Sequence, residues 1–293
     1  MTKSFREAFR ERSLRLDAAM GTRLISQGLE LERDDPCLWN LSHPDAVREI
    51  HSNDITSGAE GVLTNTFGAN RVWLGRFGRE DEVGKINRTA VLLAREAAGP
   101  ARFVLGSVGP TASEQPDAYR EQAGFLVEAG ADALVLETHR ADQAFVALRA
   151  LRHDVPVPLL VSLYVWPDSP EESLRRLEES GADALGANCE VGMERAVGTA
   201  DALRSRTSLP LYVKPSRDPA LTLADDIAAF ARAVPSLLRS GPVLIGGCCG
   251  TTEAHVAALC RSWYYVPHTP RPIFGDTADD LDARGTTNER RNP

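Results

Sequence analysis

Eight short apolar runs alternate with longer segments of helical periodicity over most of the chain. The runs occupy residues 13–16, 61–67, 102–107, 133–136, 157–165, 184–187, 210–213 and 242–245. Between them, segments such as 118–129 and 141–151 repeat apolar residues three and four positions apart, as amphipathic helices do. The alternation predicts a parallel sheet covered by helices.

Turn signals support the same arrangement. Segments 128–133 and 179–184 share the pattern Glu-X-Gly-Ala-Asp-Ala and lead into the fourth and sixth runs. We expect Gly130 and Gly181 to be the left-handed residues that end the preceding helices. Eight strands favour closure into a single (β/α)₈ TIM barrel over an open doubly wound sheet, which more often has five or six strands.

The domain organisation follows from the unbroken series of runs. No stretch of linker composition interrupts it, so residues 1–267 are predicted to form one barrel domain. Residues 268–293 are rich in Asp, Arg, Gly, Thr and Pro, and we expect them to lie over the surface or to be disordered.

Composition and charge argue against several classes of function. The formal net charge of −8 argues against nucleic acid or an anionic membrane surface as the main partner, since both require basic patches. The first residues lack the apolar stretch of a secretion signal, and no apolar run approaches the roughly 18 residues of a membrane span. We therefore expect a cytoplasmic protein that acts on small molecules; a homo-oligomer is left open.

Polar and thiol side chains stand where the apolar runs stop. In a parallel barrel, functional groups gather at the carboxyl ends of the strands. The residues at those positions are Asp17, Asn65, Thr66, Glu137, Thr138, Asn188, Cys189, Cys248 and Cys249.

Three of these positions are cysteines. The chain has five cysteines, an odd number that in a reducing compartment indicates free thiols or metal ligands. Strands six and eight are separated by one strand, so Cys189 can meet the Cys248-Cys249 pair, which glycines flank on both sides. Three thiolates suit zinc and leave its fourth position open. Two alternatives remain: buried cysteines that act as small hydrophobic residues, and a strained disulfide between the adjacent pair.

The chemistry of such a site is specific. Zinc with three thiolates carries a net negative charge and is a poor Lewis acid toward water, but it binds a further thiol as thiolate. Since a free thiol has a pKa near ~8.5, coordination supplies a nucleophile that is otherwise scarce at neutral pH. The site therefore indicates attack of a thiolate on an activated methyl group, which requires no general base.

Five segments together resemble the homocysteine S-methyltransferase family. They are Leu-Asp-Ala-Ala-Met-Gly-Thr at 16–22, Thr-Asn-Thr-Phe at 64–67, Leu-Glu-Thr at 136–138, Gly-Ala-Asn-Cys at 186–189 and Gly-Gly-Cys-Cys-Gly-Thr-Thr at 246–252. The last is highly specific, and the others gain weight from their order. The family includes betaine–homocysteine and S-methylmethionine–homocysteine methyltransferases and the homocysteine module of cobalamin-dependent methionine synthase.

The resemblance implies a role for each matching residue. It gives Cys189, Cys248 and Cys249 the places of the zinc ligands. Glu137 takes the place of the acid that faces the substrate's ammonium group; an ion pair with a neighbouring arginine is the alternative.

The remaining matches line the substrate pocket. The backbone at Ala18, directly after Asp17, is implied to hold the substrate's carboxylate, and Asn65, Thr138 and Asn188 to line the pocket. A purely structural role for Asp17 is as well supported. The family usually has glycine at the position of Ala18, where alanine would be strained if the backbone required a positive φ.

The resulting hypothesis is a zinc-dependent enzyme that moves a methyl group from a small donor to the thiol of homocysteine, giving methionine. A sulfonium, S-methylmethionine or S-adenosylmethionine, is favoured because a neutral sulfide is a good leaving group, and betaine is second. Alternatives are another thiol or selenol acceptor, a non-catalytic zinc-barrel binding or sensor protein, and a redox enzyme using the adjacent cysteines.

Other conspicuous residues are interpreted as packing residues. They are His139, Cys37 and Cys260. Four aromatic residues either help to form a box for a cationic donor or are ordinary anchors. They are Trp39, Trp73, Tyr164 and Trp166.

Overall fold

One eight-stranded parallel sheet forms the centre of the protein in the computed structural model, which describes residues 3–111, 115–167, 169–239 and 241–263. The predicted boundary at residue 267 and the tail 268–293 lie outside the described residues. The strands are β1 (Leu14–Arg15), β2 (Gly61–Leu63), β3 (Phe103–Val108), β4 (Ala133–His139), β5 (Leu159–Leu163), β6 (Ala184–Val191), β7 (Leu211–Ser216) and β8 (Val243–Ile245).

The sheet closes on itself. Its order is β1-β8-β7-β6-β5-β4-β3-β2, and a parallel bridge between Leu16 and Gly61 joins the two ends. The amide of Glu60 donates to the carbonyl of Arg15 at 2.8 Å across the same seam. The single (β/α)₈ barrel is confirmed, with a strand at each of the eight apolar runs.

Helices separate the strands and cover the barrel. They are α1 (Phe5–Glu11), α2 (Gly21–Ser26), α3 (Trp39–Ser42), α4 (Pro44–Thr56), α5 (Arg71–Leu74), α6 (Val83–Ala98), α7 (Pro116–Glu128), α8 (Ala141–Leu151), α9 (Glu171–Glu179), α10 (Met193–Arg204), α11 (Leu223–Leu238) and α12 (Glu253–Trp263). Short 3₁₀ turns lie at Pro36–Leu38, Gly75–Phe77 and Glu80–Glu82. Within the described ranges, no helix is both long enough and apolar enough to cross a membrane.

Two helices end as the repeated glycine pattern predicts. Gly130 and Gly181 have φ values of 98° and 92°, in the left-handed region. The amide beyond each glycine turns back onto the helix, from Ala131 to the carbonyl of Leu126 and from Ala182 to that of Leu177, both at 3.1 Å.

The barrel interior is built in layers because alternate strand residues point inward. An apolar layer includes Leu105, Val135, Leu160 and Tyr212, and α1 closes its amino-terminal end by packing its two phenylalanines against it. Two positions further along the strands the inward residues become polar. They are Ser107, Glu137, Ser162, Asn188 and Lys214, all buried. The change from apolar to polar places the chemistry at the carboxyl end of the barrel.

Two histidines are buried within this framework. His51 of α4 is fully buried, and neither ring nitrogen has a hydrogen-bond partner among the described residues. Burial lowers the pKa of His51 to about 4. It does the same to His139, whose Nδ1–H donates to the carbonyl of Glu137. Each imidazole is therefore neutral at pH 7.

We expect His51→Leu to reduce the acid sensitivity of the fold. Because the folded-state pKa lies below the ordinary value near ~6.5, the unfolded chain binds more protons, and stability falls as the pH drops from 6.5 through 4. His51 accounts for about 2 kcal/mol of that loss at pH 4.5. Urea unfolding with chelator present should show a smaller loss between pH 7 and 4.5 in the variant, with pH 7 stability within about 1 kcal/mol of wild type. His153→Gln, at an exposed site, is the control; identical acid profiles for His51→Leu and wild type would contradict the prediction.

Candidate functional site

Three cysteine sulfurs meet at the carboxyl end of the barrel. Cys189 lies near the end of β6, and Cys248 and Cys249 follow β8. The Cys189 Sγ lies 2.9 Å from the Sγ of Cys248 and 3.8 Å from that of Cys249, and the adjacent pair is 4.0 Å apart. The flanking glycines allow this turn: Gly250 has φ 78°, and a Cβ at Gly247 would lie 2.3 Å from the hydroxyl of Thr251.

The donor set fits a thiophilic metal ion. All three sulfurs lie within 4.8 Å of one another. Metal–sulfur bonds of about 2.3 Å in a tetrahedron give sulfur–sulfur edges of about 3.8 Å, which two of the distances match. A disulfide requires about 2.05 Å, so the adjacent pair is not bridged. Cys249 is exposed and the other two are half-buried, unlike residues that merely fill a core.

Proximity also redistributes protons within the cluster. Cys189 and Cys248 direct hydrogen bonds to the sulfur of Cys249, and with help from Ser216 they lower the pKa of Cys249 to about 3. The contact of Cys189 with Cys248, followed by its contact with Cys249, raises the pKa of Cys189. One thiolate therefore forms readily at this corner of the barrel, as the first ligand of a cation would require.

A cavity of about 320 Å³ opens beside the cysteines. Every residue that the sequence assigned to the site lines it, namely Asp17, Ala18, Asn65, Glu137, Thr138, Asn188, Cys189, Cys248 and Cys249. Met20 and Phe67 complete its apolar wall, and the ring of Phe67 is 42% exposed. A larger crevice of about 790 Å³ lies against α10 and α11, but no thiol lines it, so we place the chemistry in the smaller cavity.

Glu137 is the anionic group of the cavity floor. Its Oε2 accepts a hydrogen bond from the Ser107 hydroxyl at 2.7 Å, and its Oε1 accepts one from the Tyr212 hydroxyl at 2.9 Å. Burial raises the pKa of Glu137, and the nearby Lys214 ammonium opposes that rise. Among the described residues, the hydrogen-bond partners of Glu137 are two hydroxyl groups and no arginine pairs with it.

Asp17 has a structural role in the same floor. Its Oδ1 accepts from the Lys214 ammonium at 2.5 Å and its Oδ2 from the amide of Leu63 at 2.7 Å. Burial alone would lower the pKa of Lys214, but the carboxylates of Asp17 and Glu137 outweigh it and raise the pKa. Asp17 therefore joins β1, β2 and β7 while it lines the cavity.

The amides after Asp17 are already engaged. Ala18 N–H donates to the carboxylate of Asp54 at 3.4 Å, and Ala19 N–H to the hydroxyl of Thr251 at 3.2 Å. Ala18 does not adopt a positive φ, so alanine in place of the family's glycine introduces no strain.

Backbone strain occurs at two other site residues. Thr138 and Cys189 have φ values of 60° and 62° and are the non-glycine residues with positive φ in the described part of the chain. Each lies where the register of its strand shifts, in β4 and in β6. A left-handed conformation costs a non-glycine residue about 1–2 kcal/mol, and such strain is typical of functional sites.

The residues interpreted as packing residues lie away from the cavity. His139 is buried behind Glu137, and Cys37 and Cys260 are buried. None of the four candidate aromatic residues lines the described cavity. Trp39 stacks on His43, and the indole N–H groups of Trp73 and Trp166 donate to Asp35 and to the carbonyl of Gly186.

Several residues of the cavity floor were not predicted from the sequence. Ser107 ends the third run, Ser162 lies within the fifth, and Lys214 directly follows the seventh. Tyr212 lies beneath Lys214 on the same face of β7. The alternation of inward positions would have identified them, since each lies two residues after an inward apolar or aromatic residue.

Comparisons with known proteins agree with this geometry. Residues 14–263 match the family model described as homocysteine S-methyltransferase. The chain is 30% identical to methionine synthase of Mycobacterium tuberculosis over 88% of its own length, and 29% identical to that of Mycobacterium leprae over 87%. It spans about a quarter of the length of these two relatives.

A solved structure is similar over the whole barrel. The metallated form of the homocysteine methyltransferase MmuM from Escherichia coli superposes with a TM-score of 0.73 at 27% identity. The match covers 86% of this chain and 97% of that one. The oxidized form of the same protein gives a TM-score of 0.72.

We expect Cys248→Ala to abolish metal retention, because two sulfurs cannot complete the site. Metal per chain after gel filtration, measured by mass spectrometry, should fall from about one to near zero. Cys260→Ala is the matched control, since this buried thiol packs under Gly58 and should leave the metal content unchanged. Equal metal content in wild type and Cys248→Ala would contradict the assignment.

Proposed function

Because the chain belongs to the homocysteine S-methyltransferase family, we propose that it transfers a methyl group from a small donor to the thiol of homocysteine, with zinc held by Cys189, Cys248 and Cys249. The product is methionine. The reducing cytoplasm, which keeps such thiols free, is the proposed compartment.

One observation supports the proposal above the others. Three sulfurs that fit a metal ion and one buried carboxylate face the same cavity of about 320 Å³. An amino-acid thiol needs both features, a partner for its sulfur and a fixed anion for its ammonium group. Zinc bound there would stabilise the substrate's sulfur as a thiolate, which remains nucleophilic while the metal replaces its proton.

The protein's own residues bind and orient the amino acid. Glu137 keeps a lone pair on each oxygen after accepting from Ser107 and Tyr212, and these accept the ammonium group. Residues 20–22 follow the two engaged amides and line the cavity, so we assign the substrate's carboxylate to their N–H groups. Asn65 donates its side-chain N–H to the carbonyl of Pro36 and closes the adjacent wall.

The charge of the cavity favours a cationic donor. Asp17 and Lys214 neutralise each other, and the substrate's ammonium group neutralises Glu137. The cysteine sulfurs then leave an excess of negative charge in the cavity that the exposed Phe67 also lines. Coulomb and cation–π attraction both favour a methylsulfonium, such as S-methylmethionine or S-adenosylmethionine, with betaine second.

The names of similar proteins support the acceptor and the product. MmuM is called a homocysteine methyltransferase, and one of its structures is of a metallated form, which supports the proposal of a metal site. The mycobacterial relatives are called methionine synthase, although this chain matches only a quarter of each.

A donor-by-acceptor matrix tests the proposal. Zinc-loaded protein should form methionine from homocysteine with at least one of S-methylmethionine, S-adenosylmethionine and betaine, as measured by mass spectrometry with labelled methyl groups. Cys248→Ala under the same conditions is the control. Turnover in metal-free Cys248→Ala, or no methylation of homocysteine by the zinc protein with any of the donors, would overturn the proposal.

We expect Glu137→Gln to weaken homocysteine binding selectively. The amide is isosteric but uncharged, so the ammonium loses a charge-assisted hydrogen bond of about 1.5–3 kcal/mol, which is about 10- to 100-fold in KM. Steady-state kinetics should show this rise in KM with unchanged zinc content. An unchanged KM for homocysteine would contradict the ammonium role.

A further inference from the structure

The side chain of Asn188 has no hydrogen-bonding capacity left for a ligand. Its Oδ1 accepts from the amide of Thr138 at 3.0 Å and from the hydroxyl of Ser162 at 2.7 Å. Its Nδ2 donates to the hydroxyl of Thr138 at 2.7 Å and toward the Sγ of Cys248 at 3.9 Å. A primary amide offers two N–H donors and two acceptor lone pairs, and all four are used.

The orientation of this amide is fixed by the backbone. The Thr138 N–H can only donate, so the atom facing it must be the oxygen of Asn188. The opposite atom is therefore the nitrogen, which directs its N–H groups to the Thr138 hydroxyl and to the sulfur of Cys248.

The contacts join the two strained segments of the site. Thr138 directly follows Glu137, and Cys189 directly follows Asn188. Both Thr138 and Cys189 are left-handed, at φ 60° and 62°, and a β-branched residue such as threonine rarely adopts that region. Asn188 binds the backbone and the side chain of the first and is covalently attached to the second.

We propose that Asn188 is a positioning residue that fixes the carboxylate of Glu137 relative to the cysteine cluster and does not itself contact the substrate. The inference rests on the proposed function and deepens it, because it sets the distance between the ammonium anchor and the sulfur site. Acceptor selectivity for an α-amino thiol then depends on one buried amide.

Two variants separate the contacts of Asn188 with Thr138 and Ser162 from its contact with Cys248. Asn188→Ala removes every contact. Asn188→Asp keeps the acceptor for Thr138 and Ser162, and the Thr138 hydroxyl can turn to donate to the second oxygen, but the N–H directed at Cys248 is lost. Asn53→Ala is the matched control, because Asn53 is an exposed asparagine of α4.

Binding to zinc-loaded protein is measured by calorimetry, without a methyl donor. The ligands are homocysteine and 4-mercaptobutyrate, which is homocysteine without its ammonium group. In Asn188→Ala we expect the Kd for homocysteine to rise at least about tenfold, while that for 4-mercaptobutyrate stays within about twofold of wild type. Asn188→Asp should bind homocysteine within about threefold of wild type but lose zinc to a competing chelator more readily, at least about tenfold.

A double-mutant cycle tests whether Asn188 affects homocysteine binding through Glu137. If Asn188 acts through Glu137, adding Asn188→Ala to Glu137→Gln should weaken homocysteine binding by less than about twofold more. The cobalt-substituted forms of wild type and Asn188→Ala should both show thiolate-to-metal charge-transfer bands, which verifies that the cluster still assembles.

The contrary outcomes are distinct. Equal losses for both ligands in Asn188→Ala, or additive effects in the double variant, would overturn the positioning role and make Asn188 a direct substrate contact. Absence of the cobalt–thiolate bands in Asn188→Ala would also overturn it, in favour of a purely structural role. Failure of the wild type to bind homocysteine would instead overturn the proposed function, and this inference with it.

Discussion

Charge compensation at the carboxyl end of the barrel is the constraint on which the rest of the site depends. Asp17, Glu137 and the cysteine cluster are negatively charged and would repel one another, and both carboxylates are buried from water. Lys214 lies between them and pairs with Asp17 at 2.5 Å. Removing one partner of such a buried pair typically costs about 3–5 kcal/mol, because the other charge is left uncompensated. The apolar layer beneath keeps water out and makes this compensation necessary.

The same floor explains why the backbone tolerates strain. Thr138 and Cys189 are left-handed, and the side chain of Asn188 binds both the amide and the hydroxyl of Thr138. The pairing of β6 is continuous to Ala187 with β5 and to Asn188 with β7, and beyond Asn188 the register with β7 shifts. Strain thus lies within the last three residues of two strands, where the ladder is interrupted and side chains supply part of the hydrogen bonding.

Much of the fold could be predicted from the sequence because it is encoded locally. Each apolar run, each helical period and both glycine caps appear where the pattern places them, and closure into a barrel follows from the number of strands. The cysteines could be placed at the site for a similar reason, since they lie at the carboxyl ends of predicted strands. The polar floor was only half predicted: strand ends that carry a thiol or a carboxylate are conspicuous, whereas Ser107, Ser162 and Lys214 resemble ordinary surface residues. Their importance comes from partners 26–197 residues away, which no local pattern reveals.

Asp17 and Glu137 have different roles although both follow or end a strand, so position in the sequence alone does not determine the role of a carboxylate. Both carboxylates end a strand and both line the cavity, yet Asp17 is occupied by an ammonium and a backbone amide from within the protein. In the described part of the chain, Glu137 accepts hydrogen bonds from two hydroxyl groups, which orient a carboxylate without neutralising it. The ammonium group of Lys214 therefore neutralises Asp17. Glu137 is left as the carboxylate at which an external cation would lower the energy of the cavity most. Because Glu137 lies on β4, Cys189 on β6 and the other two cysteines after β8, an acceptor that binds both the carboxylate and the sulfurs would extend across the barrel mouth.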